Sequence, residues 1–233
     1  MEILLSTVIN FFKIATFVVY IYCIVAYNLW DSYAAWLLLA THGTYGLLWT
    51  SKTWFGYSDK NFEVKAPLYY LFATAIVLTL YWLPMAMIVQ YRPVLHPPVA
   101  ALVVALFGWG VYFHFAADLH KTVFIQQRGV LQNIEQTLKQ GNNKDMSNIF
   151  PKVTFLRSNL FAISRNPNYF GELLIYLSFA LCSMHIYPLI YLLVVIAVVW
   201  FPNMRKKDAS LSRFGDEYAN YSRNTAKLIP FVW

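Results

Sequence analysis

Runs of about twenty apolar residues, separated by short polar connections, dominate this chain and leave it few folds to choose from. In a bilayer core each backbone N–H and C=O has to be satisfied within the chain, so such runs become helices. Candidate spans fall at Ile3–Tyr27, Ser32–Thr50, Pro67–Val89 and Pro97–Ala117. The stretch Tyr169–Phe201 reads as a helical hairpin of two shorter spans, broken near His185–Pro188. Charged residues make up only 12% of the chain, against ~25% in a soluble domain. The expected fold is an all-α integral membrane bundle of about six transmembrane helices. The first run is too long for a cleavable signal peptide, and further spans follow it rather than a small-residue cleavage site.

Charge placement orients the bundle. Of the 18 Lys and Arg, seven lie between Lys121 and Arg165, six follow Pro202, and three lie between Lys52 and Lys65. Six spans put these segments on one side together with both termini, and the positive-inside rule makes that side cytosolic. The short connections Asn28–Asp31 and Tyr91–His96 face the other way and carry only Arg92. Such a chain belongs in the endoplasmic reticulum if eukaryotic, or the inner membrane if bacterial, among lipids and with no nucleic-acid partner. Lys206, Lys207, Lys139 and Lys144 read as orienting charges. Lys13 interrupts the first span, and snorkelling toward the cytosolic interface accounts for it. The polar stretch Gln132–Asn148, with Gly141-Asn142-Asn143, reads as an exposed loop. Cys23 and Cys182 lie in apolar runs without metal-ligand spacing and read as small buried hydrophobes.

The densest chemistry sits in Ser164-Arg165-Asn166-Pro167-Asn168-Tyr169-Phe170-Gly171-Glu172, where a basic stretch meets an apolar one. Asn166-Pro167 is a helix-start signal, the Asn side chain accepting a free backbone N–H and proline suiting the first helical position. Asn168 and Glu172 then share one helix face. Gly171 between them admits a ligand or another helix at close range. Ionisable side chains at membrane depth point to function. On the cytosolic face this motif is expected to join the end of the fourth span (His114, Asp118, His120), Arg157, and the tail from Arg205 onward. Basic side chains around a few carboxylates suit a phosphorylated, sugar-bearing cofactor. His114, Asp118 and His120 lack further ligands at helical spacing, so a polar helix end is the reading and no metal is expected. Inside the second span, Thr41-His42-Gly43-Thr44-Tyr45-Gly46 can line a polar pocket or pack closely against another helix, and both readings stand.

The string Asn168-Tyr169-Phe170-Gly171-Glu172, the hairpin after it and the closing Leu228-Ile229-Pro230-Phe231 resemble the C-terminal domain of the steroid 5-alpha-reductase family, which includes sterol and trans-2-enoyl-CoA reductases. The resemblance runs roughly from Gly110 to the C-terminus. It implies a cofactor domain at 110–233 and N-terminal membrane helices at 1–109 enclosing the substrate. It further implies NADPH, with Asn168 and Glu172 at the nicotinamide end, Asp118 and Arg205 on the remainder, and Arg157 and Arg165 near the phosphates. Tyr169 in the string and Tyr218 in the tail complete that set. The implied activity reduces a C=C bond conjugated to a carbonyl in a lipid or steroid-like substrate, with Tyr45 or His42 as proton donor and Glu63 as a further candidate acid. This family's pattern places a Gln-Glu pair and a Tyr in early spans; here the first span has no acidic residue after Glu2, and His42-Gly43, with Tyr45 two positions on, stands where the family shows His-Tyr.

Arg165-Asn166-Pro167-Asn168-Tyr169-Phe170-Gly171 and the tail Phe214-Gly215-Asp216-Glu217-Tyr218 to Tyr221 are also similar to isoprenylcysteine carboxyl and phospholipid methyltransferases. That similarity implies S-adenosylmethionine-dependent methyl transfer as the alternative. Lys207-Asp208, however, stands where those enzymes carry paired glutamates. A non-catalytic membrane protein that keeps the fold is a third reading.

Overall fold

The computed structural model describes residues 3–56, 64–140 and 154–232. Its helices are α1 (Leu5–Ala26), α2 (Tyr33–Leu38), α3 (Thr44–Trp54), α4 (Leu68–Leu80), α5 (Leu83–Tyr91), α6 (Pro97–Gln140), α7 (Leu160–Ile163), α8 (Pro167–Ser183), α9 (Ile186–Val195), α10 (Phe201–Leu211) and α11 (Asp216–Asn224). Two π-helical turns, Leu39–Gly43 and Ile196–Trp200, join α2 to α3 and α9 to α10. A two-residue antiparallel pairing of β1 (Ile3–Leu4) with β2 (Lys65–Ala66) precedes α4. The protein is an all-α membrane bundle.

Among the described residues, four helical stretches are long and apolar enough to cross a bilayer: Leu5–Ala26, Leu68–Tyr91, Pro97–Thr137 and Ile186–Phe214. Two of the six expected spans fall short of that measure. One is α8, with 17 residues. The other is 33–54, whose middle carries Thr41 and His42 in a widened turn.

Local signals place the ends of several helices. Pro167 opens α8. Met184, at φ 49°, breaks the hairpin just before His185, whose Nδ1 accepts the Tyr187 N–H at 3.3 Å and caps α9. One expectation is corrected: Gln132–Gln140 is helix, not loop. Leu, Gln, Glu and Lys favour helix, and neither Pro nor Gly interrupts 130–140. The rest of that loop with Lys144, the side chain of Lys139, and Glu63 lie outside the described residues.

The chain divides into two compact units, one formed by Met1–Tyr112 with Gly171–Phe201, the other by Phe113–Phe170 with Pro202–Trp233. Within the first, α3 lies directly on α1. A Cβ on Gly46 would fall 2.0 Å from the Lys13 carbonyl oxygen, and one on Gly43 would fall 2.8 Å from the Phe17 ring. Small residues at a membrane helix crossing let the backbones approach this closely. The same device recurs where α6 meets α8, a Cβ on Gly110 falling 2.8 Å from the Gly171 carbonyl. The second unit has an aromatic centre in which Phe155 packs against Phe214, Tyr218 and Tyr221 at 5.3–5.5 Å between ring centroids.

Gly46→Ala should lower the thermal midpoint of the purified protein in detergent, since overpacking of a tight contact costs about 1–3 kcal/mol. Gly108→Ala is the control, because a Cβ there meets nothing within 4 Å. An equal midpoint for the two variants would show that the α1–α3 crossing tolerates a methyl group.

Candidate functional site

The first unit holds a polar cluster inside an otherwise apolar bundle. Lys13, on the ninth residue of α1, is 3% exposed. Its Nζ donates to the Tyr81 hydroxyl at 2.7 Å and to the Tyr176 hydroxyl at 3.4 Å. It also lies 4.0, 4.6 and 4.9 Å from the ring centroids of Tyr81, Tyr45 and Trp49. A desolvated cation over such faces gains up to about 2 kcal/mol per favourable ring. The expected snorkelling of Lys13 is therefore corrected. From mid-helix the ammonium finds phenol oxygens and π faces at shorter range than an interface.

Tyr45 and His42 flank the glycines of the α1–α3 crossing, and both are completely buried. With Gly43 and Gly46 against α1, the adjacent His42 and Tyr45 side chains turn into the bundle. Helix packing and a polar cluster are thus two faces of one segment. The Tyr45 hydroxyl donates to Glu172 Oε1 at 3.5 Å, a long hydrogen bond. Glu172, Tyr176 and Phe179 follow one face of α8 at i, i+4 and i+7. His42 stacks on Phe179 with centroids 4.0 Å apart and an interplanar angle of 12°, and its Nδ1 is 2.7 Å from the Tyr20 hydroxyl. The π-helical turn that contains His42 adds one residue to the helical turn, a feature frequent at functional positions.

The second unit gathers the start of α8 and the tail around one carboxylate. Asp208 Oδ1 accepts from Arg165 Nη1 at 3.1 Å and from the Tyr218 hydroxyl, and Lys227 Nζ lies 3.7 Å from Oδ2. The tail also straps the motif through its backbone. Arg165 N donates to the Ala226 carbonyl, Ser164 Oγ to the Leu228 carbonyl and Asn166 Nδ2 to the Lys227 carbonyl, each at 2.8 Å. Asn166 Oδ1 accepts from Lys207 Nζ at 3.2 Å, and the Arg165 carbonyl accepts from it at 2.7 Å. Asn166 does not cap α8 as expected, because its side chain is committed to the tail. Lys207 is likewise more than an orienting charge.

The remaining expected site residues are placed differently. Arg157 pairs with Glu217 at 2.8 Å on the surface, its side chain 56% exposed. Asp118 Oδ2 lies 3.6 Å from His114 Nε2, and His114 Nδ1 lies 3.3 Å from the Asn168 carbonyl. The Asn168 and Tyr169 side chains are half-buried. Arg205 is exposed on α10 and makes no hydrogen bond or ion pair among the described residues. Among the described residues no three His, Cys, Asp or Glu side chains gather as a metal site, and both cysteines are free. The structure therefore joins Tyr45 with Glu172, and Arg165 with Tyr218. It adds Lys13, Tyr81, Tyr176, Lys207, Asp208 and Lys227; of these, the lysine within an apolar run and the Lys207-Asp208 pair of the tail left a visible signal in the sequence.

The model of a family of proteins of unknown function, DUF1295, matches residues 52–222, well over half of the chain. The chain belongs to this family. No curated protein and no solved structure matches it. The DUF1295 stretch includes Tyr81, Arg165, Glu172, Tyr176, Asp208 and Tyr218, while Lys13, His42 and Tyr45 precede it.

Burial, reinforced by the hydrogen bond to Asp208, pushes the Tyr218 phenol up from 10.0 to about 12 against the opposing pull of Arg165. A raised value in the folded chain means that its stabilisation is complete below pH 10 and is lost as pH climbs from 10 through about 12. Tyr221 is pushed upward as well, again by burial first. The thermal midpoint should therefore fall across that window. Tyr218→Phe should flatten part of the fall, and a pH profile identical to that of the unsubstituted protein would show that the phenol is not held in this way.

Proposed function

We propose that the chain is a membrane-bound, NADPH-dependent reductase of a C=C bond conjugated to a carbonyl in a lipid or steroid-like substrate. The observation that carries this reading is the buried set of Tyr45, Glu172 and Lys13 within the membrane unit. Reducing such a bond needs a proton donor sheltered from water and fixed charge near it. Tyr45 holds a transferable proton, Glu172 accepts from its hydroxyl, and the Lys13 ammonium over the ring favours the phenolate left after transfer. The resemblance to the steroid 5-alpha-reductase family supports the same chemistry.

The second unit fits a phosphorylated cofactor. Arg165, Lys207 and Lys227 gather near the single carboxylate of Asp208. The buried Arg165 Nε meets no acceptor among the described residues, a donor that suits a phosphate oxygen. Bound NADPH would supply the hydride. Following the resemblance, Asn168 and Glu172 would hold its nicotinamide end, the two oxygens of Glu172 serving an amide N–H and Tyr45. Asp118, Arg157, Arg165, Tyr169, Arg205 and Tyr218 would serve the remainder. The basic segments would face the cytosol, across the endoplasmic reticulum membrane or a bacterial inner membrane. A methyltransferase would need carboxylates for S-adenosylmethionine, and Asp208 is already enclosed by Arg165, Lys227 and Tyr218.

Purified protein in detergent should bind NADPH saturably, and Glu172→Gln should weaken that binding about tenfold, as expected for one charged hydrogen bond. Binding of S-adenosylmethionine without NADPH would replace the reading with methyl transfer. Binding of neither would favour a non-catalytic role.

Tyr45→Phe tests the proton donor. With a conjugated enone sterol as substrate, turnover should fall ~10²–10⁴-fold while NADPH affinity is kept. Phenylalanine preserves the ring beneath Lys13, so unchanged turnover would remove Tyr45 from the mechanism.

A further inference from the structure

Two buried polar groups in the membrane unit have hydrogen-bonding capacity that no described residue fills, and they belong to rings in contact. The Tyr81 hydroxyl accepts Lys13 Nζ–H at 2.7 Å, while its own hydrogen meets no acceptor among the described residues. A phenol that accepts from an ammonium is a stronger donor in turn. His42 Nδ1 lies 2.7 Å from the Tyr20 hydroxyl. With that phenol donating, the ring hydrogen of neutral His42 sits on Nε2. Nε2 is buried and has no hydrogen-bond partner. The His42 and Tyr81 rings meet edge to face with centroids 4.0 Å apart, and Phe179 stacks on the His42 face. Both side chains are more than nine-tenths buried.

We propose that Tyr81 O–H and His42 Nε2–H form a two-donor hole for the oxygen of a carbonyl- or oxyanion-bearing lipid, with Lys13 and Tyr20 as positioning residues behind the donors. Preorganised donors of this kind, in a site without water, stabilise negative charge on oxygen far better than solvent-exposed ones. The inference deepens the reductase reading and rests on it for a catalytic role, since an enolate oxygen is the charge such a hole would hold. It also separates two tasks: Tyr81 and His42 hold the oxygen, while Tyr45 beside Glu172 keeps the proton. The titratable groups facing Tyr81 are Lys13 and Tyr20 from α1, Glu172 and Tyr176 from α8, and Tyr191 from α9. Lys13 donates to the Tyr81 hydroxyl, and Glu172 accepts from Tyr45.

The probe is 2-naphthol, whose absorption distinguishes the neutral from the ionised form, titrated with the full chain in detergent. The protein should bind it saturably and raise its ionised fraction at a fixed pH about tenfold over detergent alone, equivalent to one unit of pKa. Tyr81→Phe and His42→Phe should each abolish most of that gain, and Lys13→Arg should keep it by retaining the cation. Lys13→Met should lose it. If that variant fails to fold, Tyr81→Phe, which removes a single hydroxyl, carries the test. No saturable binding, or a gain unchanged in both Tyr81→Phe and His42→Phe, would overturn the proposal. NADPH titration of the same samples keeps the two readings apart. Ionisation of naphthol without NADPH binding would sink the reductase and leave the hole standing, and NADPH binding without it would do the reverse.

Discussion

An ammonium ion held inside an apolar bundle dictates what its neighbours must be. Water cannot solvate Lys13, so phenol oxygens and aromatic faces take over, and Tyr81, Tyr176, Tyr45 and Trp49 supply them. The arrangement requires α3 to lie against α1. Gly46 permits this by admitting the Lys13 carbonyl where any side chain would collide. One residue of α1 thus presents its backbone to a glycine and its side chain to the tyrosine next to that glycine. Packing and polar chemistry share one contact here, which is why neither reading of the Thr41–Gly46 segment excludes the other.

Asp208 plays the corresponding part in the second unit, with the sign reversed. One carboxylate organises Arg165, Lys227 and Tyr218, and the strand-like contact of residues 226–228 with 164–166 supplies the backbone hydrogen bonds. The tail is a strap over the motif rather than a loose basic end. Its effect on Arg165 is specific: Nη1 is committed to Asp208 while the buried Nε remains available to an anion.

Local features of this fold were legible in the sequence and distant ones were not. Proline at 167 and the break before Ile186 act through neighbouring residues, and the helices begin and end there. Asn166 obeys the same local rule in type, yet its side chain bonds a carbonyl 61 residues away, and nothing nearby in sequence announces that competitor. Tyr45 and Glu172 stood out separately, the first by its polar segment and the second by its place at a helix mouth. That they meet across 127 residues is a property of the bundle alone. Lys13 departs from its expected snorkelling for a related reason. Snorkelling is the usual escape for a lysine within an apolar run, and only the positions of Tyr81 and Tyr176 reveal a better one.

Charge balance decides which substitutions can speak about chemistry in this cluster. Glu172 is the carboxylate whose charge acts on Lys13, against the opposing charge of the buried Lys52. Removing one of two buried opposite charges leaves the other uncompensated at a cost of about 3–5 kcal/mol, a large share of the stability of an ordinary domain. A loss of function at Lys13 or Glu172 therefore speaks about mechanism only in variants that keep their fold. Tyrosine to phenylalanine leaves both charges and the π faces in place and deletes one hydroxyl. The Tyr81 oxygen is itself the nearest acceptor of Lys13, so the phenol of Tyr45 is the position at which the chemistry of this cluster separates best from the forces that hold it together.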